Sequence, residues 1–335
     1  MKKNKSILFS AIQPTGQLTL GNYLGTLCHW DKIQEEYNSI YCIADLHALT
    51  TCRDHSSLQI NIFDTLALYL SCGVDPKKSI IFVQSHVYEH AQLNWILNCY
   101  AYCGELMRMT QFKSKSKECH NNNVNIGLLN YPILMASDIL LYQTKKVLVG
   151  SDQKQHLELA SKIAMRFNKI YKKNIFTIPE ILLSQSGSKI MSLLEPDKKM
   201  SKSNVNTKNT IFLLEDIQCI KNKIKCAVTD SNNSSKIYYN VLEKPGISNL
   251  MTIFSGITGK SITELEIEFS NVMYSKFKDE LSDVLSIKIK QIQKSYCRYR
   301  KDEVYLKDIV VKGAEKAREY AQKTLRRVYK LLYLN

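Results

Sequence analysis

Glycine is scarce in this chain: 12 of 335 residues, about half the usual share of roughly 7%. Any cluster of it is therefore informative. Also absent is any run approaching the roughly 20 apolar residues that a bilayer-spanning helix needs, which argues against a membrane partner. The basic start Met1-Lys2-Lys3-Asn4-Lys5 is followed by an apolar run from Ile7 that stops at Gln13-Pro14, too short for a secretory signal. The ten cysteines show no paired spacing, so a disulfide framework is excluded and a reduced, cytoplasmic protein is expected. Internal repeats and long low-complexity linkers are missing too. With 44% hydrophobic and 23% charged residues the composition is that of a globular chain, and its length allows one to three domains.

What the chain has in excess is positive charge. Its 46 Lys+Arg against 31 Asp+Glu leave a net charge of +15. Lysines and arginines that neutralise phosphates release counterions, so the excess fits a nucleic-acid partner. It equally fits a chain enriched in Lys and Asn throughout, as Asn121-Asn122-Asn123 and Lys172-Lys173 suggest.

Short apolar runs at Ile7 to Ile12, Ile40 to Ala44, Ile80 to Gln84 and Val147 to Gly150 read as strands. Helical patterns separate them: a helix from Gly21 carrying Leu24, Leu27 and Ile33, another over Ile60 to Cys72, and one through His156 to Phe167. Strand and helix in alternation predict a parallel α/β sheet. After about Lys199 strand patterns nearly vanish, and helices are expected over Thr210 to Lys225, Ile247 to Ser255, Ile262 to Phe277, Leu281 to Tyr299 and Gly313 to Leu332. The fold class that follows is a Rossmann-type parallel sheet with a nucleotide site, then an all-α domain.

Three of the few glycines, Gly16, Gly21 and Gly25, fall within ten residues directly after the first strand. Glycine there permits close backbone approach to a phosphate and opens a helix whose first amides attract anions. The spacing is not that of the dinucleotide fingerprint, so a plain turn competes with this reading. Lys198-Lys199-Met200-Ser201-Lys202-Ser203, at the change from sheet to helices, suits a polyanion such as triphosphate, or is a solvated face. Tyr131, Met135, Asp138 and Tyr142 are spaced to share one helix face, with Asp138 a carboxylate in an otherwise apolar run. A buried carboxylate needs a donor, either from the protein or from a ligand N–H.

Three patterns are set aside. His86-Val87-Tyr88-Glu89-His90 has inverted-zincin spacing but no third acidic ligand. Gly256-Ile257-Thr258-Gly259-Lys260-Ser261 is too short between its glycines for a Walker loop. Cys99 and Cys103 are read as small buried apolar groups rather than ligands.

Taken together these residues resemble the bacterial tryptophanyl-tRNA synthetase family of class I aminoacyl-tRNA synthetases, nearly end to end. Gln13-Pro14-Thr15-Gly16 with Thr19-Leu20-Gly21-Asn22 is similar to that family's form of the HIGH signature, and Lys199 to Ser203 spells its KMSKS signature. Gly104-Glu105-Leu106, Arg108 to Lys113, the Tyr131 to Tyr142 segment and Gly150 to His156 also match. The resemblance implies ATP, L-tryptophan and tRNA(Trp) as partners, with Mg²⁺ carried by the phosphates, no metal held by protein side chains, and a homodimer. It assigns catalysis to Gln13, Thr19, Asn22, Lys199 and Lys202. Pro14, Thr15, Gly21, Gly150, Ser151, Asp152, Ile190, Met200, Ser201 and Ser203 join them around ATP. Asp138, Phe9, His47, Tyr131, Met135 and Gln153 are assigned to tryptophan. It further implies a catalytic domain over 1–198 with a dimer segment near 103–130, an anticodon domain over 199–312, and a C-terminal helix over 313–335 packed on the body. Basic helices carrying Lys221, Lys223, Lys225, Arg298, Arg300 and Lys301 are candidates for tRNA contact. Ala11, Ser137 and Ser151 depart from the family, where glycine, alanine and glutamate are usual. A tyrosine-activating enzyme and a non-catalytic RNA-binding homologue are the rival readings.

Overall fold

Strand β1 (Ile7–Ile12) runs through the middle of a five-stranded sheet whose order is β3-β2-β1-β4-β5 and whose pairs are all parallel. A computed structural model describes residues 5–50, 55–118, 124–150, 153–182, 189–201, 206–229 and 236–334. Along the chain β1 is followed by α1 (Leu20–Gly25), α2 (Trp30–Glu36), β2 (Asn38–Ile43), α3 (Asp45–Ala48), α4 (Leu58–Ser71) and β3 (Ile80–Val83). Next come α5 (Glu89–Asn98), α6 (Cys103–Met107), α7 (Thr110–Glu118), α8 (Ile126–Leu140), β4 (Lys146–Leu148), α9 (Lys154–Tyr171) and β5 (Glu180–Leu182). The remainder is helical: α10 (Ile217–Cys226), α11 (Pro245–Thr258), α12 (Ile262–Phe269), α13 (Tyr274–Arg300) and α14 (Glu303–Leu332). Among the described residues no helix is long and apolar enough to cross a membrane.

The strands are apolar on both sides because both faces of the sheet are covered. Side chains alternate between two cores with period two. Leu8, Tyr41, Ile43, Ile81 and Val83 join one core with α1, α4 and α10 to α13. Phe9, Ile40, Cys42, Phe82 and Val147 join the other with α5, α8, α9 and α14. Strand order turns back at β1, so β2 and β3 lie on one side of it and β4 and β5 on the other. The crevice beyond the carboxyl ends of β1 and β4 is the place where such sheets hold ligands.

Helix α14 covers the sheet edge at β3. The middle of its buried face is made of Gly313, Ala314, Ala317 and Ala321, and a Cβ on Gly313 would come within 1.7 Å of the Ile81 carbonyl oxygen. Only glycine permits that approach, and the helix shields an edge that would otherwise present unpaired backbone.

The four expected strands form, and β5 is an addition: its three residues, Glu180-Ile181-Leu182, are too few to show a pattern. The helical expectations need several corrections. The first helix is broken into α1, a 3₁₀ turn at Leu27–His29 and α2. Residues Thr210 to Glu215 are not helical: Ile211 to Leu213 pair with Leu18 to Leu20 of the glycine turn and a turn follows at Leu213-Leu214, so helix begins at Ile217, capped by Asp216. Ile262 to Phe277 is two helices, divided at Ser270–Met273. Tyr142 lies beyond the end of α8, next to Gln143, whose φ of 53° ends the helical path. Cys99 caps the end of α5 and Cys103 begins α6, and both are exposed, not buried, because these short helices meet at the surface.

Candidate functional site

A cavity of about 1160 Å³ opens beyond the ends of β1 and β4 and reaches across to α11. A site for one small ligand usually measures roughly 300–1,000 Å³, so there is room for two joined end to end.

At one end stands Asp138, 1% exposed in the middle of α8's apolar sequence. The protein itself supplies its donors: His47 Nε2 at 2.8 Å to Oδ2, with Gln84 Nε2 at 2.7 Å and His90 Nδ1 at 2.6 Å to Oδ1. Burial pushes the carboxyl upward, but the hydrogen bonds from His47 and His90 outweigh it and hold Asp138 well below the usual carboxylate range. The carboxylate therefore does not depend on a ligand N–H for compensation, and such a donor would be a fourth. Phe9, from β1, stacks on Tyr142 at 5.8 Å, and Met135 lies on the cavity wall one turn before Asp138. Tyr131 Oη bonds His156 Nε2 at 2.8 Å, and Gln153 lines the cavity nearby.

The other end is built from the glycine turn and the lysine segment. Gly16 adopts φ +63°, the one left-handed residue of the cluster. Thr19 and Asn22 cap α1 reciprocally: Asn22 N–H donates to Thr19 Oγ1, and Thr19 N–H to Asn22 Oδ1. Leu20 N–H is taken by the Ile211 carbonyl at 2.8 Å. With two early amides bonded and only six residues in the helix, α1 is less of an anion terminus than the sequence implies. The turn is instead fastened to later chain, with Thr19 bridged to Phe212 and Leu213 N–H bonded to Leu18. The lysine segment is fastened in the same way. Met191 bridges Lys199, Met200 N–H reaches the Ile190 carbonyl, and Asn249 of α11 bonds both backbone groups of Met191.

Of the residues the sequence singles out, Phe9, Gln13, Thr15, Thr19, Gly21, Asn22, His47, Tyr131, Met135, Asp138, Gly150, Gln153, Ile190, Lys199 and Met200 line this one cavity. Pro14 is buried beside it without lining it, and Ser201 is exposed, its carbonyl bonded by Thr210 Oγ1. Ser151, Asp152, Lys202 and Ser203 lie outside the described residues. Sequence reasoning passed over Lys115 of α7 and Tyr239, Asn249 and Thr252 from the helical region, all of which line the cavity. It also set aside His90, the residue now found against Asp138. The signal for it in the sequence is the His-x-x-Glu-His pattern, whose second histidine serves here as a donor to the carboxylate.

The charge excess is partly spent within the fold. Lys198 pairs with Glu195, Lys221 with Asp283, and Arg300 with Asp64 and Glu303. Lys223, one of the candidates for tRNA contact, is buried against Glu215 and the Thr210 carbonyl, where RNA cannot reach it without breaking both.

A parallel sheet that brings a phosphate-suited turn and a lysine segment to the same crevice defines a nucleotide-handling enzyme of Rossmann type. The sequence model of tRNA synthetases class I (W and Y) matches residues 1–288, and the chain belongs to that family. Within it the similarity is to the tryptophan branch. The chain is 60% identical over 331 residues to the tryptophan–tRNA ligase of Buchnera aphidicola subsp. Schizaphis graminum, covering 98% of both chains. Its fold superposes on the tryptophanyl-tRNA synthetase of Mycoplasma pneumoniae with a TM-score of 0.91 at 34% identity, covering 99% of this chain and 98% of that one. The Campylobacter jejuni tryptophanyl-tRNA synthetase, solved with ADP and tryptophan, gives 0.81 at 32% identity, with 97% and 99% covered.

Proposed function

We propose that this cavity activates L-tryptophan with ATP to the adenylate and then passes the tryptophanyl group to the 3′ end of tRNA(Trp). The observation that carries this reading is the cavity's continuity: one space joins the Asp138 pocket to the glycine turn and Lys199. The amino-acid carboxylate attacks the α-phosphate in line and pyrophosphate leaves, so no protein nucleophile is required. The residues bind, orient and stabilise charge. Asp138 accepts the indole N–H, and Phe9 and Met135 wall the ring. Tyr131, Gln153 and the remaining nitrogen of His47 serve the amino-acid head. Gln13, Thr15, Thr19, Gly21, Asn22, Gly150 and Ile190 surround the nucleotide, and Lys199 meets the leaving pyrophosphate. Ser151, Asp152, Lys202 and Ser203 complete the nucleotide side on family resemblance. Mg²⁺ arrives on the phosphates, as the family resemblance implies.

Residues 1–198 act as the main catalytic part and the chain from 199 as the part that reads tRNA, up to α14, which begins at Glu303, ten residues before the helix expected from Gly313, and closes on the body. Homodimerisation is supported by exposed large apolar side chains gathered on α5, α6 and their flanks: Tyr88, Trp95, Tyr102 and Met107, each more than half exposed. ATP–pyrophosphate exchange with a panel of amino acids tests the reading. Exchange driven by tyrosine in place of tryptophan would overturn it, and a Lys202→Ala variant that still exchanges normally would remove the lysine segment from the chemistry.

A further inference from the structure

The two oxygens of Asp138 have different surroundings. Oδ2 is bonded by His47, which lines the cavity. Oδ1 accepts from Gln84 and His90, neither of which lines it. A carboxylate oxygen has two in-plane lone pairs, so Oδ1 is filled from behind and Oδ2 keeps one lone pair for a donor in the cavity.

His90 can donate to Oδ1 only with a proton on Nδ1. In the neutral ring that leaves Nε2 as an acceptor, and the Tyr142 hydroxyl, 2.7 Å away and fully buried, donates to it. Tyr142 also stacks on Phe9, a wall of the cavity. The backbone of His90 is held as well, since Ser137 Oγ, adjacent to Asp138 in the chain, donates to the His90 carbonyl at 2.8 Å. His90 is 0% exposed and held at three points, two on the imidazole and one on the backbone carbonyl, and does not itself line the cavity.

We propose that His90, its tautomer set by the Tyr142 hydroxyl, is a positioning residue for amino-acid selection that holds the Asp138 carboxylate with one Oδ2 lone pair presented to the indole N–H. The inference deepens the tryptophan reading and rests on it. Without His90 the carboxylate can turn about Cβ–Cγ, and the lone pair loses its aim while the pocket keeps its shape.

The test compares L-tryptophan with 3-benzothienyl-L-alanine, in which sulfur replaces the N–H, in ATP–pyrophosphate exchange. The unaltered protein is expected to favour tryptophan by roughly 100-fold in kcat/KM, less than the limit for a fully orphaned site because Asp138 already has protein donors. His90→Leu reduces that ratio about tenfold. His90→Asn, whose amide nitrogen stands where Nδ1 stood, restores it to within about threefold of the unaltered protein. Tyr142→Phe keeps the ring stack and loses about threefold, as the Nε2–H tautomer becomes populated. The KM for ATP stays within about twofold throughout, which a general loosening of the fold would not spare. An unchanged ratio in His90→Leu, or an Asn variant no better than Leu, overturns the proposal. If the Leu variant does not fold, a Tyr142→Phe ratio equal to that of the unaltered protein overturns it instead. Exchange with tyrosine and not tryptophan in the unaltered protein sinks the underlying reading, whereas tryptophan preference that survives His90→Leu sinks only this inference.

Discussion

The two ends of the cavity are built on opposite plans. The Asp138 end draws all its parts from the sheet region, α3, β3's end, α5 and α8, and ties them through buried side-chain hydrogen bonds. The Lys199 end is assembled from segments nearly 200 residues apart, joined by backbone pairings between the glycine turn and Phe212 and by the Asn249 clasp on Met191. Discrimination between amino acids needs groups fixed in a dry environment, where an unmade hydrogen bond is costly. Handling phosphates needs charge delivered from both regions of the chain, so this end depends on how those regions sit together.

The largest effect is expected at the dry end. Asp138→Ala leaves three buried donors without their acceptor, so kcat/KM for tryptophan in exchange should fall roughly 10³-fold or more. Unfolding free energy in urea should drop by about 3–5 kcal/mol. Acid dependence sharpens the same point. A carboxyl whose native pKa lies below its unfolded value stabilises the fold above the unfolded value of about 3.9, and that stability is lost as pH falls through the depressed native pKa. Urea titrations from pH 6 downward should therefore show the gap between the unaltered protein and Asp138→Asn narrowing below about pH 4. A gap that stays constant would mean that the ionised carboxylate is not what holds this end together.

The wet end should respond in rate before affinity for the amino acid. Lys199→Ala is expected to slow exchange about 100-fold while the KM for tryptophan stays within about twofold. A rise in that KM as large as the loss of rate would erase the division between the two ends. Asn249→Ala probes the clasp. It removes two hydrogen bonds to the Met191 backbone, and the KM for ATP should rise about five- to tenfold with that for tryptophan unchanged. Equal KM values for ATP in the variant and the unaltered protein would show that the lysine segment keeps its place without the helical region.

The same contrast explains what the sequence disclosed. Local, repetitive signals were readable: the runs around Leu8, Ile40, Ile81 and Val147 announced the sheet, and Gly16, Gly21 and Gly25 marked the nucleotide end because glycine is rare. Asp138 stood out as a charge in an apolar helix. Its partners did not, since Gln84, His90 and Tyr142 meet it through the packing of β3's end, α5 and the turn after α8, contacts with no periodicity in the chain. Residues Thr210 to Glu215 have a helical pattern and stay out of the helix because Leu18 and Leu20 offer backbone partners to Ile211 and Leu213. The break at Ser270–Met273 and the three-residue β5 are below the length at which a pattern can be told from chance.

The smallest expected effect separates placed charge from charge in general. Lys198 adjoins Lys199 in sequence, yet its ammonium pairs with Glu195 on the exposed side and does not line the cavity. Exposed pairs of this kind contribute little, because water screens them and two long side chains must be ordered to form them. Lys198→Ala should therefore leave exchange within about twofold and the thermal midpoint unchanged. The two lysines bring the same charge to within one residue of each other, so their difference isolates geometry. Should Lys198→Ala slow exchange as much as Lys199→Ala, the nucleotide end would be working as a diffuse positive field, and the net charge of the segment would matter more than which ammonium the backbone pairing between Met191 and Lys199 places at the cavity.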